Sequence, residues 1–239
     1  MTKNFERGRE MNKKPIFNTE LAYVFGIVAL AIGVALMERA DFGMSMVVAP
    51  AYLLHLKISQ YLPFFSFGMA EYTLQLALII VLMLIVRKFR LSYFFSFVTA
   101  VIYGFILDGC IFLVSLIPEG GIVLRVAFFI GGMLFCSCGV SLVFHTYISP
   151  EAYELFVKEI SSHFSWNITK VKWIYDIVSC LVGIGLSFLF FGLWHFEGVK
   201  LGTVICALVN GFIIGGFSKL FEKCFEFKDG LKLRPLFEK

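Results

Sequence analysis

The sequence predicts an all-α, polytopic membrane protein: six transmembrane helices, arranged as two inverted-topology three-helix repeats with broken or re-entrant segments. Three observations lead there. Of 239 residues, 59% are hydrophobic and 16% charged, and the 29 Phe outnumber all 21 Lys and Arg. Runs apolar enough to cross the roughly 30 Å of bilayer hydrocarbon, which takes about 20 helical residues, recur six times. Finally, the chain resembles itself at a spacing of about 106 residues.

The composition also excludes. A soluble domain carries about a quarter of its residues as charges, so a soluble enzyme, a disordered chain and a nucleic-acid-binding domain all fit poorly. The net charge of +4 matters through its placement, and no nucleic-acid partner is expected. The partner that composition does imply is the lipid bilayer.

Taken in order, residues 1–18 form a tail carrying Lys3, Arg7, Arg9, Lys13 and Lys14. The spans are expected at 19–38, 68–86, 91–116, 122–145, 171–194 and 201–222. The first is read as a membrane helix and not a signal peptide, because no small-x-small cleavage site follows and it ends in Met37-Glu38-Arg39. The second is interrupted by Glu71 and Gln75. Helices are required because each span must satisfy its own backbone groups in lipid, and the alternating pattern of barrel strands is missing. Residues 19–116 make the first repeat, 122–222 the second, and 223–239 a basic tail.

Most of the 21 basic residues lie in the two tails, in Arg87, Lys88 and Arg90, and in Lys158, Lys170 and Lys172. By the positive-inside rule both termini of this multi-pass protein are expected to be cytoplasmic. Trp166, Trp173 and Trp194 fall near span ends, where aromatic belts sit.

The internal repeat aligns Gly33-Val34-Ala35-Leu36 with Gly139-Val140-Ser141-Leu142, and residues 101–109 with 208–216. Between them, Glu71 lies opposite Asp176. Each half holds three spans, an odd number, so the second enters from the opposite face. Each half is also broken after its first span. Residues 44–56, with Pro50, are too short to cross. Residues 149–164 begin with Ser149 as an N-cap and Pro150 as the first helical residue. That second helix is expected to place Tyr153, Phe156, Val157, Ile160 and Phe164 on one face, with Glu154, Lys158, Glu159, Ser161 and Ser162 on the other. Both pieces read as re-entrant or interfacial.

These residues carry a resemblance. Arg39-Ala40-Asp41-Phe42-Gly43-Met44-Ser45 resembles the "RADLG-S-P" stretch of the YczE/YyaS/YitT-like bacterial membrane proteins, in the branch related to YczE. Residues 103–108 are similar to its "GYFID" segment, residues 170–176 to "KVK…D", and residues 197–205 to "EGVREGTVI". The family's Ser-Pro is here Ser45-Met46, with Pro50 downstream. The resemblance implies an integral membrane protein of bacterial type, of the inner membrane, and no particular substrate.

Ionisable groups at bilayer depth cost roughly 3 kcal/mol or more, so they face a cavity or a partner. Arg39, Glu71, Asp108, His145 and Asp176 are therefore the candidate substrate or ion pathway, with Glu71 and Asp176 as a central carboxylate pair and Arg39 and His145 flanking. His163 and His195 read as interfacial. Glycines 183, 185, 211, 215 and 216 are expected to allow close helix approach. The six cysteines read as packing residues, with no metal and no cofactor expected. P-loop, GxSxG, HExxH and dinucleotide motifs are missing, so an enzyme is not expected. The expected function is a small-solute transporter or exporter with an ion- or proton-coupled site between the repeats. The alternative is a non-transporting membrane partner or scaffold for another protein, contacted through the basic tail from Lys219 to Lys239. A homodimer fits either.

Overall fold

A computed structural model describes residues 14–118, 120–192, 198–231 and 234. Lys3, Arg7, Arg9, Lys13, Trp194, His195, Glu197, Lys232 and Lys239 lie outside the described residues, as does the end of the expected fifth span.

Eight helices form. In the first half they are α1 (Thr19–Ala40), α2 (Ala49–Ile58), α3 (Phe67–Val86) and α4 (Leu91–Ser115). In the second they are α5 (Ile122–Phe144), α6 (Ala152–His163), α7 (Ile168–Phe191) and α8 (Leu201–Cys224). Six are long and apolar enough to span a membrane, each within a few residues of its expected bounds. The chain is an integral membrane protein by that composition. The order long, short, long, long occurs twice.

Local chemistry sets the ends. Asp41 stops α1 by turning left-handed (φ 55°), and its N–H donates to the carbonyls of Met37 and Glu38. Ser66 caps α3, its hydroxyl accepting from the Met69 N–H. Ser149 does not cap α6. The helix starts two residues later, with Glu151 at the N-cap position, and Ser149 and Pro150 instead offer their carbonyls to α4.

The two halves are joined by a long antiparallel crossing of α1 with α5. A side chain at Gly26 would strike Val143 and the Gly139 carbonyl, and one at Gly33 would strike Cys136 and the Gly132 carbonyl. Gly26 and Gly132 are equivalent under the repeat, as are Gly33 and Gly139. The Cys136 thiol reaches the carbonyl of Leu30, its own equivalent 106 residues away, at 3.8 Å. A residue that touches its own counterpart lies on the two-fold axis relating the halves.

The remaining contacts follow that axis. The pairing of α1 with α4 matches that of α5 with α8, and α2 on α3 matches α6 on α7. Across the axis, α6 packs on α3 as α2 packs on α7. One pairing departs. The α3–α4 pair is closely packed, while α7 and α8 make no comparable contact among the described residues. The glycines expected to pack α8, Gly211, Gly215 and Gly216, have open space where a side chain would go, as does Gly185; Gly183 alone meets Val199 and Ala49.

At one face, called here the tail face, Ile16–Asn18 (β1) pairs in parallel with Glu226–Lys228 (β2). Both tails therefore lie on the same side. Glu20 accepts from Tyr147 and from the Gly230 and Leu231 N–H groups, which locks residues 229–231 to the start of α1.

The short helix α6 is re-entrant. The turn before it reaches Gln75, Ser96 and Thr99. Gln75 lies about 16 Å along α3 from its tail-face end and about 12 Å from the other, at 1.5 Å per residue. The chain thus climbs from His145 to roughly mid-membrane and returns through α6. The expected polar face of α6 is only partly correct. Lys158 and Ser162 are exposed, but Glu159 is buried, where one Arg90 guanidinium nitrogen contacts both its oxygens at 2.8 and 2.9 Å and Tyr93 donates at 3.1 Å.

Candidate functional site

Glu71 and Gln75 stand one turn apart on α3, so both side chains leave the same face. That face is pressed against the start of α6, and both residues are fully buried. The Tyr153 hydroxyl donates to Glu71 Oε2 at 2.7 Å. Gln75 Oε1 accepts from the Ala152 N–H at 3.0 Å. That bond fixes which way the amide points, because only the oxygen can accept. Gln75 Nε2 is then turned to both carboxyls, 3.5 Å from Glu71 Oε2 and 3.4 Å from Glu151 Oε2.

The turn bearing Glu151 is held from the first half. Thr99 donates to the Ser149 carbonyl at 3.1 Å and Ser96 to the Pro150 carbonyl at 2.7 Å, while Tyr23 bonds Thr99 at 2.7 Å. Two buried oxygens, Glu71 Oε1 and Glu151 Oε1, have no hydrogen-bond partner among the described residues. An unpaired buried carboxylate oxygen is costly unless the group is protonated or meets a ligand. For Glu151, burial and then the neighbouring Glu71 and Glu154 carboxylates push the carboxyl up to about 8.

The structure brings together only part of the expected set. Glu71 is central, but its carboxyl partner is Glu151, not Asp176. Asp176 lies in a separate, partly buried group, 3.9 Å from Lys172, which is itself 3.5 Å from Glu154. Asp108 is the N-terminal anchor of α3, accepting from the Ser66 hydroxyl at 2.5 Å and the Gly68 N–H at 2.8 Å. Arg39 and His145 sit at opposite ends of the α1–α5 pair. Arg39 donates to the Ile117 carbonyl at 3.0 Å. His145 bonds the Ser141 carbonyl at 2.7 Å and stacks on Phe227 of β2.

The two most motif-like stretches, 159 residues apart, form one joint on the face opposite the tails. Met44 N–H donates to the Gly198 carbonyl at 2.9 Å, and Gly202 N–H to the Phe42 carbonyl at 2.8 Å. Lys200 contacts Asp41 at 2.5 Å and Arg125 contacts its other oxygen at 3.2 Å, with the Arg125 guanidinium over Phe42. Gly43, at φ 109°, allows the turn. Beside it, a cavity of about 320 Å³ is lined by Arg39, Asp41, Leu124, Arg125 and Phe128, among others. The RADFG stretch thus fastens the halves together.

Sequence reasoning missed Gln75, Glu151 and Tyr153 as site residues. The Glu71–Gln75 spacing, two polar groups one turn apart inside an apolar run, was the available signal. Glu151 and Tyr153 offered none, because α6 reads as an ordinary amphipathic helix.

The model of a family of unknown function (DUF6198) matches residues 17–219, and the chain belongs to that family. No curated protein and no solved structure matches it.

Proposed function

We propose that this chain, as a member of that family, is a small-solute transporter whose ion-coupled site is the Glu71–Gln75–Glu151–Tyr153 cluster. The observation that carries the reading is the start of α6. A helix of the second half begins near mid-membrane, against a buried carboxyl of the first, at the joint between inverted repeats. Interrupted helices of that kind at a repeat interface are where secondary transporters bind substrate and ions, and buried intramembrane carboxyls mark pathways. The same reading takes the tail face as cytoplasmic, by its basic residues, and takes the likeness to YczE-related bacterial proteins as common descent. It ranks Glu71 above Asp176, which has Lys172 as a counter-ion.

The scaffold alternative loses its main support, because residues 226–231 of the basic tail are docked on the chain's own N-terminal segment. Deleting the tail would uncover that segment in either case.

The test is a thermal-shift screen of purified protein against inorganic ions, amino acids, vitamins, nucleobases and cationic drugs, beside Glu71→Gln. A ligand of the folded state raises apparent stability by mass action. One class stabilising the wild type and not the variant is the expected result. A panel with no effect on well-folded wild type, or with equal effect on both, overturns the reading.

A further inference from the structure

We propose that Glu71 and Glu151 share a single proton at neutral pH, held between the two halves by Gln75 and Tyr153, and that a proton, not a metal cation, is the ion this site binds. As the coupling ion it rests on the transport reading; as a proton site it does not.

The donor pattern separates the two ligands. A metal cation needs oxygen lone pairs turned inward, commonly six or more for hard ions. Here the groups turned towards the carboxyls are the Gln75 NH₂ and the Tyr153 O–H. Their positive ends would face a cation. The Ala152 N–H holds Gln75 in that orientation, so its amide oxygen is not free to turn and ligate. Among the described residues no group of three His, Cys, Asp or Glu side chains could hold a metal ion.

The charge balance then calls for a proton. Both carboxyls approach one nitrogen, at 3.5 and 3.4 Å, so their facing oxygens lie at most about 7 Å apart, and two such neighbours do not both ionise readily when buried. Among the described residues, the surrounding elements offer no cation in compensation. The ionisable groups acting on Glu151 are Glu71 and Glu154, both acidic. Tyr23 of α1, Tyr103 of α4 and Cys136 of α5 also sense the Glu151 carboxyl, and all three are neutral. Tyr175 of α7 faces Glu71. Lys172 is engaged by Glu154 and Asp176. The two oxygens left without partners, one on each carboxyl, are where the proton can reside.

The experiment is infrared spectroscopy of the full chain in detergent, titrated in H₂O and D₂O, following the carbonyl band that only a protonated carboxylic acid gives. The wild type should show this band at pH 7, shifted in D₂O, and lose it with a midpoint near pH 8. Glu71→Gln and Glu151→Gln should each remove or displace it, and Glu154→Gln should leave it in place. Should Glu71→Gln fail to fold, Glu151→Gln and the wild-type titration decide. No band at pH 7, or a band that both substitutions leave unchanged, overturns the proposal. So does a band that sodium chloride abolishes at fixed pH where choline chloride does not, since a metal cation would then be displacing the proton. Loss of the proton site with a solute-induced shift intact would leave transport standing with another ion. The converse would leave a proton site in a protein that does not transport.

Discussion

The first half of this protein closes its third and fourth helices on each other, and the second half leaves the equivalent pair apart. Gly68 and Gly104 bring the backbones of α3 and α4 into contact, whereas Gly211, the repeat equivalent of Gly104, faces open space. Only 11% of the apolar stretch of α7 and 17% of that of α8 is buried within the chain, against 33–50% for the other four spans. The carboxyls differ in the same sense. Glu71 is fully buried, with no counter-ion among the described residues, while the side chain of the equivalent Asp176 is 24% exposed and lies beside Lys172. The two halves therefore share a common plan of crossings, but the polar cluster is asymmetric, built from the closed helix pair of one half and the re-entrant helix of the other.

The glycines test that difference most severely. Gly68→Ala and Gly104→Ala each force a methyl group into the opposing backbone, where flexible side chains cannot give way. Each should cost about 3 kcal/mol and show as loss of monodisperse protein on size-exclusion chromatography. Gly211→Ala meets nothing within 4 Å and should be neutral. Equal damage at Gly104 and Gly211 would mean that α8 is packed after all.

A smaller effect separates the two clamps between the halves. Arg90, before α4, pairs with Glu159 of the second half, and Lys200, before α8, pairs with Asp41 of the first. The Glu159 side chain is 10% exposed and that of Asp41 54%. Arg90→Ala strands a buried charge and should cost ~2 kcal/mol, and Lys200→Ala less than ~1 kcal/mol, because exposed pairs are weak. Melting temperatures of the two variants check the order.

The smallest effect is a slope. With its carboxyl raised from 4.5 to about 8 by burial and by the carboxylates beside it, Glu151 holds a proton when folded that it loses on unfolding. The folded state thus binds more protons between those values, and stability falls as pH rises from about 4.5 to about 8, then levels. Glu151→Gln should flatten this dependence, and melting curves across that range check it.

Much of this was legible in the sequence. Span number and length follow from apolar content, because transfer into hydrocarbon is a nearly local sum over residues. The repeat was legible as spaced identities, and the placement of both tails on one side follows from an even number of crossings. The site was legible only in part. Glu71 and Gln75 break an apolar run and so announce themselves. Asp108 does so equally, yet its charge serves the first turn of α3. Glu159 resembles a solvated residue of an amphipathic helix until Arg90 and Tyr93 are brought to it.

The sequence by itself determined a six-span membrane protein with two broken halves, since solvation energy and helical periodicity are written residue by residue. Only the tertiary structure decided that α6 enters to mid-membrane, that α7 and α8 stand apart among the described residues, and that Glu71 and Glu151 converge on Gln75. Those outcomes depend on which groups come within about 3 Å of one another across 80 or so residues of chain, and hydrogen bonds that short-ranged leave no periodic trace in the sequence that makes them.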